Sequence, residues 1–227
     1  MEIKVLASGS KGNAYLVGDG KSRLLLDCGI PLKQIQKGCD FMVGSIAGCL
    51  VTHIHKDHSL AVKDLAHRGV KVYGTREMKE AGMPVNVVNP KVIYTVGNFS
   101  VTPFEAVHDV ECYGYLIQSL NTQERLIYLT DSAAIKYDFD RIDYWLIEAN
   151  YGLKIIDKNV ENGMDKERAN RVINTHMSIE KLQWYFERYS VLDAKEIYLI
   201  HLSDDNSDAE DFKQRIERTT GVPVTVA

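Results

Sequence analysis

The sequence predicts an α/β (α+β) fold in which helices cover β-sheets. In the first half, strand-like apolar runs alternate with segments of helical spacing, and this alternation favours helices packed on sheets. The second half opens with a series of strand-like runs separated by turn residues. The 227 residues, 45% of them hydrophobic, suffice for a sizeable core, and no repeat or linker divides them. We therefore expect one domain over residues 1–227.

The strand predictions rest on short apolar runs bounded by turn residues. Gly18-Asp19-Gly20 separates the second run from the third, Gly97-Asn98 is a tight turn, and 121–124 is a polar hairpin loop. The predicted strands are Ile3–Ala7, Ala14–Val17, Arg23–Asp27, Ile46–Thr52, Val70–Tyr73, Val85–Val88, Val92–Val96, Phe99–Ala106, Tyr113–Leu120, Arg125–Leu129, Tyr144–Glu148, Ile197–Ile200 and Val222–Val226.

The helix predictions rest on apolar residues that recur three and four positions apart. One such stripe, between Leu182 and Tyr189, is interpreted as core. Ser207-Asp208-Ala209-Glu210 matches a capping box that opens a last helix ending near Arg218. The other predicted helices are Pro31–Lys37, Leu60–Ala66, Arg76–Ala81, Lys166–Asn174 and Ser178–Tyr189.

Composition narrows the possible partners and the compartment. The net charge is −4 and there is no basic tail, so nucleic-acid binding would need a local basic patch. No run of 18 apolar residues predicts a membrane span, and residues 1–10 do not resemble a signal peptide, so we expect no membrane partner. The four cysteines form no CxxC pair, and two of them, Cys28 and Cys49, lie in apolar runs. A cytoplasmic location fits this cysteine usage best.

The most informative stretch is His53-Ile54-His55-Lys56-Asp57-His58, directly after the strand-like run 46–52. His53 and His55 are two residues apart, so they point the same way while the backbone is extended. Asp57 and His58 follow a turn and can face a second point. Burying these groups together without a metal would leave polar atoms unsatisfied. Imidazole and carboxylate suit zinc, iron or manganese, so we predict a metal site, with two ions rather than one.

Three further ionisable residues directly follow predicted strands: His108, Asp131 and His201. Each alone is weak, because loops often carry polar residues. Together with the histidine cluster they supply what two metals need. His53, His55 and His108 would hold one ion, and Asp57, His58 and His201 the other. Asp131 could bridge them, since paired catalytic metals lie about 3.5–4 Å apart.

These residues, in this order, resemble the metallo-β-lactamase superfamily, whose signature HxHxDH is matched at 53–58 and followed by His108, Asp131 and His201. The resemblance implies an αββα four-layer sandwich of two mixed sheets with helices outside and two divalent metal ions at one edge. Asp27, at the end of a predicted strand, matches the aspartate that precedes the motif in that family. We expect it to orient a ligand imidazole, although a plain turn aspartate would look the same.

Smaller blocks resemble the YycJ/WalJ-type branch, which is linked to single-strand exonuclease activity. They are the SGSxGN-like opening at 8–13, the EAN block at 148–150, the GHLS-like block at 175–178 and the HLSxxN block at 201–206. Two positions depart from the branch: Thr175 stands for the glycine of GHLS, and Tyr151 for the histidine after EAN. Tyr151 is expected to line the pocket instead.

The resemblance also suggests roles around the metals. Asp57 and Asp131 could accept a proton from the nucleophile. His176 could protonate the leaving oxygen or hold a phosphate oxygen, unless it is structural. Ser10, Gly12 and Asn13 would contact substrate or merely form a tight turn. Ser203 and Asn206 would contact substrate or support His201.

Three functions remain open at the level of sequence. The first is a metal-dependent phosphodiesterase or nuclease acting on single-stranded nucleic acid. The second is a hydrolase of a small cyclic phosphodiester, thioester or lactone, which the near-neutral charge favours mildly. The third is a non-catalytic metal-binding regulator, against which the full ligand set argues. The sequence predicts neither the oligomeric state nor which metal is bound.

Overall fold

The computed structural model describes residues 1–189 and 191–227, and backbone contacts divide the chain into two compact units. Unit one comprises Met1–Glu105 and Val110–Arg125, and unit two comprises Ala106–Asp109 and Leu126–Ala227. The described strands form two mixed sheets accompanied by helices, which confirms the α/β class. That residues 1–227 form one domain stays a prediction.

Unit one contains the whole first sheet, whose six strands lie in sequence order. Antiparallel pairing joins its first three strands, and parallel pairing joins the third to the sixth. These strands are β1 (Glu2–Ala7), β2 (Ala14–Gly18), β3 (Arg23–Leu26), β4 (Ile46–Leu50), β5 (Val72–Gly74) and β6 (Asn86–Val87). Three antiparallel strands of the second sheet also belong to unit one: β7 (Tyr94–Val96), β8 (Phe99–Glu105) and β9 (Tyr113–Ser119).

The helices of unit one are short. A cluster of buried apolar side chains, including Leu25, Ile35, Val51 and Leu65, joins residues of these helices to residues of the first sheet. The helices are α1 (Leu32–Gly38), α2 (Lys56–Ser59), α3 (Val62–His67) and α4 (Arg76–Glu80), with a 3-10 turn at Val43–Ser45.

Unit two contains four strands of the second sheet, all parallel, in the spatial order β13-β12-β11-β10. They are β10 (Arg125–Leu129), β11 (Tyr144–Glu148), β12 (Glu196–Ile200) and β13 (Val224–Val226). Parallel strands bring their carboxyl ends to one edge of the sheet, and ligands commonly bind at that edge. Asp131, Glu148 and His201 stand at or just past the ends of β10, β11 and β12.

The helices of unit two are α5 (Leu153–Glu161), α6 (Lys166–Thr175), α7 (Ile179–Arg188) and α8 (Ala209–Thr220). Helix α5 was not predicted, because it begins at Gly152 without a side-chain cap and therefore lacks a start signal. The last helix is capped by Asp208, whose side chain accepts from the Asp211 N–H at 3.0 Å, and not by Ser207 as the capping-box match had suggested. Among the described residues, none of the helices has the length and apolar character that crossing a bilayer requires.

Candidate metal centre

The histidine motif leaves the end of β4, where the buried residues Val51 and Thr52 lead directly into His53. His53 is fully buried, and the chain then forms the single helical turn α2, which carries Asp57 and His58. The predicted turn between the two halves of the motif is therefore this short helix. Unit one brings all four motif side chains together.

The first two histidines present one nitrogen each to a common point. Nε2 of His53 lies 3.0 Å from Nδ1 of His55, and the other nitrogen of His53 lies 3.0 Å from the Thr52 hydroxyl. Two nitrogens on one tetrahedral zinc, each about 2.0–2.1 Å from it, would be roughly 3.3 Å apart. The spacing of this pair therefore fits two ligands of one ion.

The second half of the motif offers another pair of ligand atoms. Oδ2 of Asp57 lies 3.3 Å from Nε2 of His58, while Nδ1 of His58 lies 2.6 Å from Oδ2 of Asp27. A neutral imidazole that donates through Nδ1 carries a lone pair on Nε2, the form a metal binds. Asp27 therefore orients the ring of His58, and the metal-binding role of that ring stays a prediction.

Asp27 also fixes the backbone before the motif. Its Oδ1 accepts from the Thr52 N–H at 2.8 Å, and the Thr52 hydroxyl lies 3.1 Å from both carboxylate oxygens. Thr52 thus contacts both Asp27 and His53. Sequence reasoning missed Thr52, because a threonine at the end of a strand carries no distinctive signal.

The glycine-rich turn at 8–13 is hydrogen-bonded to the segment that carries Asp57 and His58. Three of its N–H groups are engaged within unit one: Gly12 donates to Gly9 O, Gly9 donates to the Asn13 side chain, and Asn13 donates to Asp57 O at 2.8 Å. Asn13 is fully buried, and its amide nitrogen lies 3.1 Å from Nε2 of His58. This geometry supports the tight-turn interpretation for Gly12 and Asn13. Ser10 is exposed, and its contact with substrate stays a prediction.

Unit two has a carboxylate at the centre of its polar cluster. Glu148, which ends β11 and is almost fully buried, accepts from His176 Nδ1 at 2.6 Å and His201 Nδ1 at 3.0 Å through the same oxygen, Oε1. Its other oxygen accepts from the N–H groups of Ser132 and Met177 at 2.9 and 3.0 Å. Sequence reasoning noted the block that contains Glu148 but assigned the residue no role, because it stands at the end of an apolar strand.

The charge of this carboxylate is stabilised by its neighbours. Burial alone would raise the pKa of Glu148, but His176 and His201 hold it below its ordinary value. Burial alone would lower the pKa of His176, but the charge and hydrogen bond of Glu148 raise it. Glu148 therefore favours the protonated form of His176.

Asp131 and His108 stand beside this pair. Asp131 Oδ1 accepts from the Thr130 hydroxyl at 2.8 Å and lies 3.4 Å from His201 Nδ1, and its Oδ2 lies 3.7 Å from His108 Nε2. His108 Nδ1 lies 3.0 Å from the carbonyl oxygen of Thr175, to which it can donate. Burial lowers the pKa of His108, which favours the neutral imidazole that a metal requires. Unit two thus brings its three predicted ligands together.

The loop after β12 is fixed by amide side chains. Asn150 Nδ2 donates to the carbonyl of His201 at 2.9 Å, and Asn150 O accepts from the Ser203 N–H at 3.0 Å. Asn206 is nearly fully buried, donates to the Ser203 hydroxyl at 3.2 Å and accepts from Asn159 at 2.9 Å. Ser203 and Asn206 therefore support the His201 loop, the second of the two roles considered for them.

Tyr151 does not line a pocket. Its side chain is fully buried in a small cluster with Ile156 and Ala169, and burial raises its pKa to about 12. The expectation for this residue is wrong, because a side chain with no exposed surface cannot line an open pocket.

Three of the strand-end residues adopt a left-handed backbone: Asp27 (φ 54°), Asp131 (φ 47°) and His201 (φ 55°). This conformation is uncommon for residues other than glycine and costs of order 1–3 kcal/mol when it is strained. Such conformations cluster at functional sites. The sharp turn lets each side chain leave its strand and stay with the polar cluster of its own unit.

The donor atoms fit divalent metals in both units. Unit one offers the pairs His53–His55 and Asp57–His58, and in unit two one ligand atom each from Asp131, Glu148, His176 and His201 lies within 4.8 Å of the others. Imidazole nitrogens and carboxylate oxygens are a ligand set that zinc, iron and manganese accept.

The sequence of this chain matches a known protein family and a curated relative. The model of the β-lactamase superfamily domain matches residues 22–202. The chain belongs to the metallo-β-lactamase superfamily. It is 26% identical over 231 residues to the exodeoxyribonuclease YycJ of Bacillus anthracis, an alignment that covers 92% of this chain and 85% of YycJ.

Solved structures of other proteins share the fold of this chain. The metallo-β-lactamase fold protein YhfI of Bacillus subtilis superposes with a TM-score of 0.75 at 18% identity, covering 99% of this chain and 95% of YhfI. Zn(2+)-bound PqqB of Methylobacterium extorquens superposes with a TM-score of 0.75 at 16% identity, covering 100% of this chain and 97% of PqqB. The metallo-β-lactamase-like fold implied by the sequence is confirmed.

Proposed function

We propose that this protein is a metal-dependent hydrolase with a dinuclear site that cleaves phosphodiester bonds in nucleic acid, in the manner of a single-strand exonuclease. The observation that carries the proposal is the arrangement of the motif side chains, which offer one pair of ligand atoms 3.0 Å apart and another 3.3 Å apart. Membership of the superfamily and the exodeoxyribonuclease name of YycJ support it.

We assign the ligands as the sequence pattern suggests. His53, His55 and His108 would hold one ion, Asp57, His58 and His201 would hold the other, and Asp131 would contribute its carboxylate to both. The orientation of His58 by Asp27, and of His108 by the Thr175 carbonyl, supports these roles. Zinc is the first candidate metal, since PqqB binds it, and manganese and iron accept the same donors.

Two bound cations would supply a water of lowered pKa and neutralise phosphate charge. Either Asp57 or Asp131 would accept the proton that the attacking water loses. His176 would give a proton to the leaving oxygen: its Nδ1 is held by Glu148 at 2.6 Å, which raises its pKa and leaves Nε2 as the second donor. Its side chain is 19% exposed, so a substrate can reach it.

A second candidate is a hydrolase of a small phosphodiester, thioester or lactone. The net charge of −4 favours it, because long nucleic acids bind most readily along basic surfaces. We also propose a cytoplasmic location, which the four buried cysteine thiols support.

The deciding experiment assays metal-loaded protein on 5′-phosphorylated single-stranded DNA, a chromogenic phosphodiester and a thioester. Asp57→Ala removes a proposed ligand, and Asp64→Ala, on the exposed side of α3, is the matched control. Metal-dependent release of nucleotides that Asp57→Ala abolishes and Asp64→Ala retains would support the proposal. Turnover of only the small phosphodiester or the thioester would favour the second candidate. No metal-dependent turnover of any substrate would contradict both and leave a non-catalytic metal-binding regulator.

A further inference from the structure

Unit two contains an apolar pocket of about 390 Å³ between the loop that follows β10 and helix α7. This volume lies within the usual range of small-molecule sites. The side chains that give it its apolar character are Ala133, Ala134, Ile135, Met177, Trp184 and Tyr185.

Two backbone segments that border the pocket also contact the polar cluster of unit two. Met177 donates its N–H to Glu148, and Ser132, the residue before Ala133, donates to the same carboxylate oxygen. One wall therefore begins beside Asp131 and the other beside His176. A molecule in the pocket would therefore lie against Ala133 and Met177, which adjoin Asp131 and His176 along the chain.

The pocket is held open by hydrogen bonds. Lys181 Nζ donates to Ala133 O at 3.0 Å, and Tyr185 OH donates to Tyr137 O at 3.2 Å. Both bonds tie the loop to α7, so the two walls keep their spacing. A ligand would enter a preformed space and pay little ordering cost.

Trp184 borders the pocket and has 58% of its surface exposed, so its indole ring is accessible to a ligand. The guanidinium carbon of Arg188 lies 5.5 Å from the centre of its ring. Glu180 also borders the pocket, but its carboxylate accepts from Arg215 at 3.4 Å and from the Leu153 N–H at 3.2 Å. An aromatic face with a nearby cation is how proteins bind single-stranded nucleic acid, by stacking bases and attracting the backbone.

We propose that this pocket binds an unpaired nucleobase, which stacks on Trp184 and places the adjoining phosphodiester beside Asp131 and His176; this rests on the proposed cleavage of nucleic acid. The base must be unpaired, because a base inside a duplex presents no free face to an indole. The pocket would thus select single-stranded ends.

The test measures binding of a short oligothymidylate by quenching of tryptophan fluorescence, alongside turnover of the same oligonucleotide. Trp145, the only other tryptophan, is buried, so quenching reports on Trp184. Because base stacking is worth ~1–3 kcal/mol, Trp184→Ala should weaken binding, measured by fluorescence anisotropy of a labelled oligonucleotide, by roughly 5- to 150-fold. Trp184→Phe should retain most of the affinity, and the exposed Leu192→Ala should bind as the unchanged protein does.

An oligonucleotide with abasic positions makes the test specific, because Trp184→Ala should no longer matter for it. Equal losses on both oligonucleotides, or no loss on either, would overturn the proposal. So would a dimer of the unchanged protein that Trp184→Ala dissociates, since Trp184 would then be a subunit contact. If the unchanged protein cleaves the oligonucleotide and Trp184→Ala changes neither binding nor cleavage, the proposed nucleobase site is refuted and the proposed activity stands. Trp184-dependent binding without cleavage refutes the proposed activity and leaves the pocket standing.

Discussion

The Nδ1 atom of His58 lies 2.6 Å from Oδ2 of Asp27, and both side chains are fully buried. Asp27 is also tied to the Thr52 N–H, so one carboxylate fixes both the imidazole and the strand end that carries the motif. The ring held in this way directs Nε2 to within 3.3 Å of Asp57 Oδ2. The orientation of two proposed metal ligands therefore depends on a residue that contributes no ligand atom.

Asp27→Asn should weaken metal binding by about 10- to 100-fold, as changes in groups that orient metal ligands usually do. The amide nitrogen can face Nδ1 and favour the wrong tautomer of His58. Competition with a fluorescent zinc chelator measures the affinity, and Asp64→Asn is the control on an exposed site. Unchanged affinity in folded Asp27→Asn would show that the 2.6 Å contact does not set the ligand geometry.

Gly29→Ala should disrupt the histidine motif, because Gly29 packs directly against the backbone of Asp57. An added Cβ would lie 1.6 Å from the carbonyl oxygen of Asp57, a contact that only a backbone shift can relieve. We expect a loss of stability of a few kcal/mol and a loss of metal binding, measured by thermal unfolding with and without zinc. Gly44→Ala is the matched control, because nothing lies within 4 Å of its Cβ position. If Gly29→Ala and Gly44→Ala show the same thermal unfolding with and without zinc, the packing of Gly29 against Asp57 does not constrain the motif.

Glu148→Gln should lower the free energy of unfolding by about 1–3 kcal/mol, because the amide cannot accept all four hydrogen bonds that the buried carboxylate accepts. It should also lower the pKa of His176, since the attraction that raises it is lost. Urea unfolding and NMR titration of the metal-free protein measure the two effects. The exposed Glu167→Gln should show neither. If the pKa of His176 does not fall in Glu148→Gln, Glu148 is not the group that raises the pKa of the proposed proton donor.

Asp19 gives a prediction about acid stability. Burial alone would raise its pKa, but hydrogen bonds from Ser22, Asn98, Lys21 and Ser119 lower it to about 2 from 3.8. Because the folded pKa is the lower one, this group stabilises the fold above pH 3.8 and loses that effect as the pH falls towards 2. The shift corresponds to about 2 kcal/mol at neutral pH.

Asp19→Asn should remove about this much stability at pH 7, measured by urea unfolding, and should flatten the fall in stability between pH 4 and 2. The exposed Asp157→Asn should leave the profile unchanged. A profile for Asp19→Asn that runs parallel to that of the unchanged protein would mean that Asp19 is not the group that titrates there.

The sequence predicted the positions of several proposed ligands relative to the strands, because they share a visible pattern: an ionisable side chain directly after an apolar run. Asp27, His53, Asp131 and His201 all follow strands in the structure, within one to three residues of the strand end. The spacing within the motif also constrained which nitrogens could meet. Local signals of this kind can be seen in a single sequence.

The sequence did not predict the hydrogen bonds that hold those ligands. Glu148 contacts residues 16 to 53 positions away, and a single sequence does not show which side chains will meet across such separations. The left-handed backbone of Asp131 and His201 is likewise imposed by tertiary contacts against local preference. Asn13 was interpreted through its glycine neighbours, whereas its buried amide packs against a motif 45 residues away.

The number of metal ions bound per chain tests the central proposal most directly. Equilibrium dialysis against zinc, followed by elemental analysis, should find two ions per chain in the unchanged protein and two in the control His67→Ala, whose side chain is exposed on α3. His53→Ala and His58→Ala should each bind fewer. An unchanged protein that binds no zinc, manganese or iron, or motif variants that still bind two ions, would contradict the proposed dinuclear site.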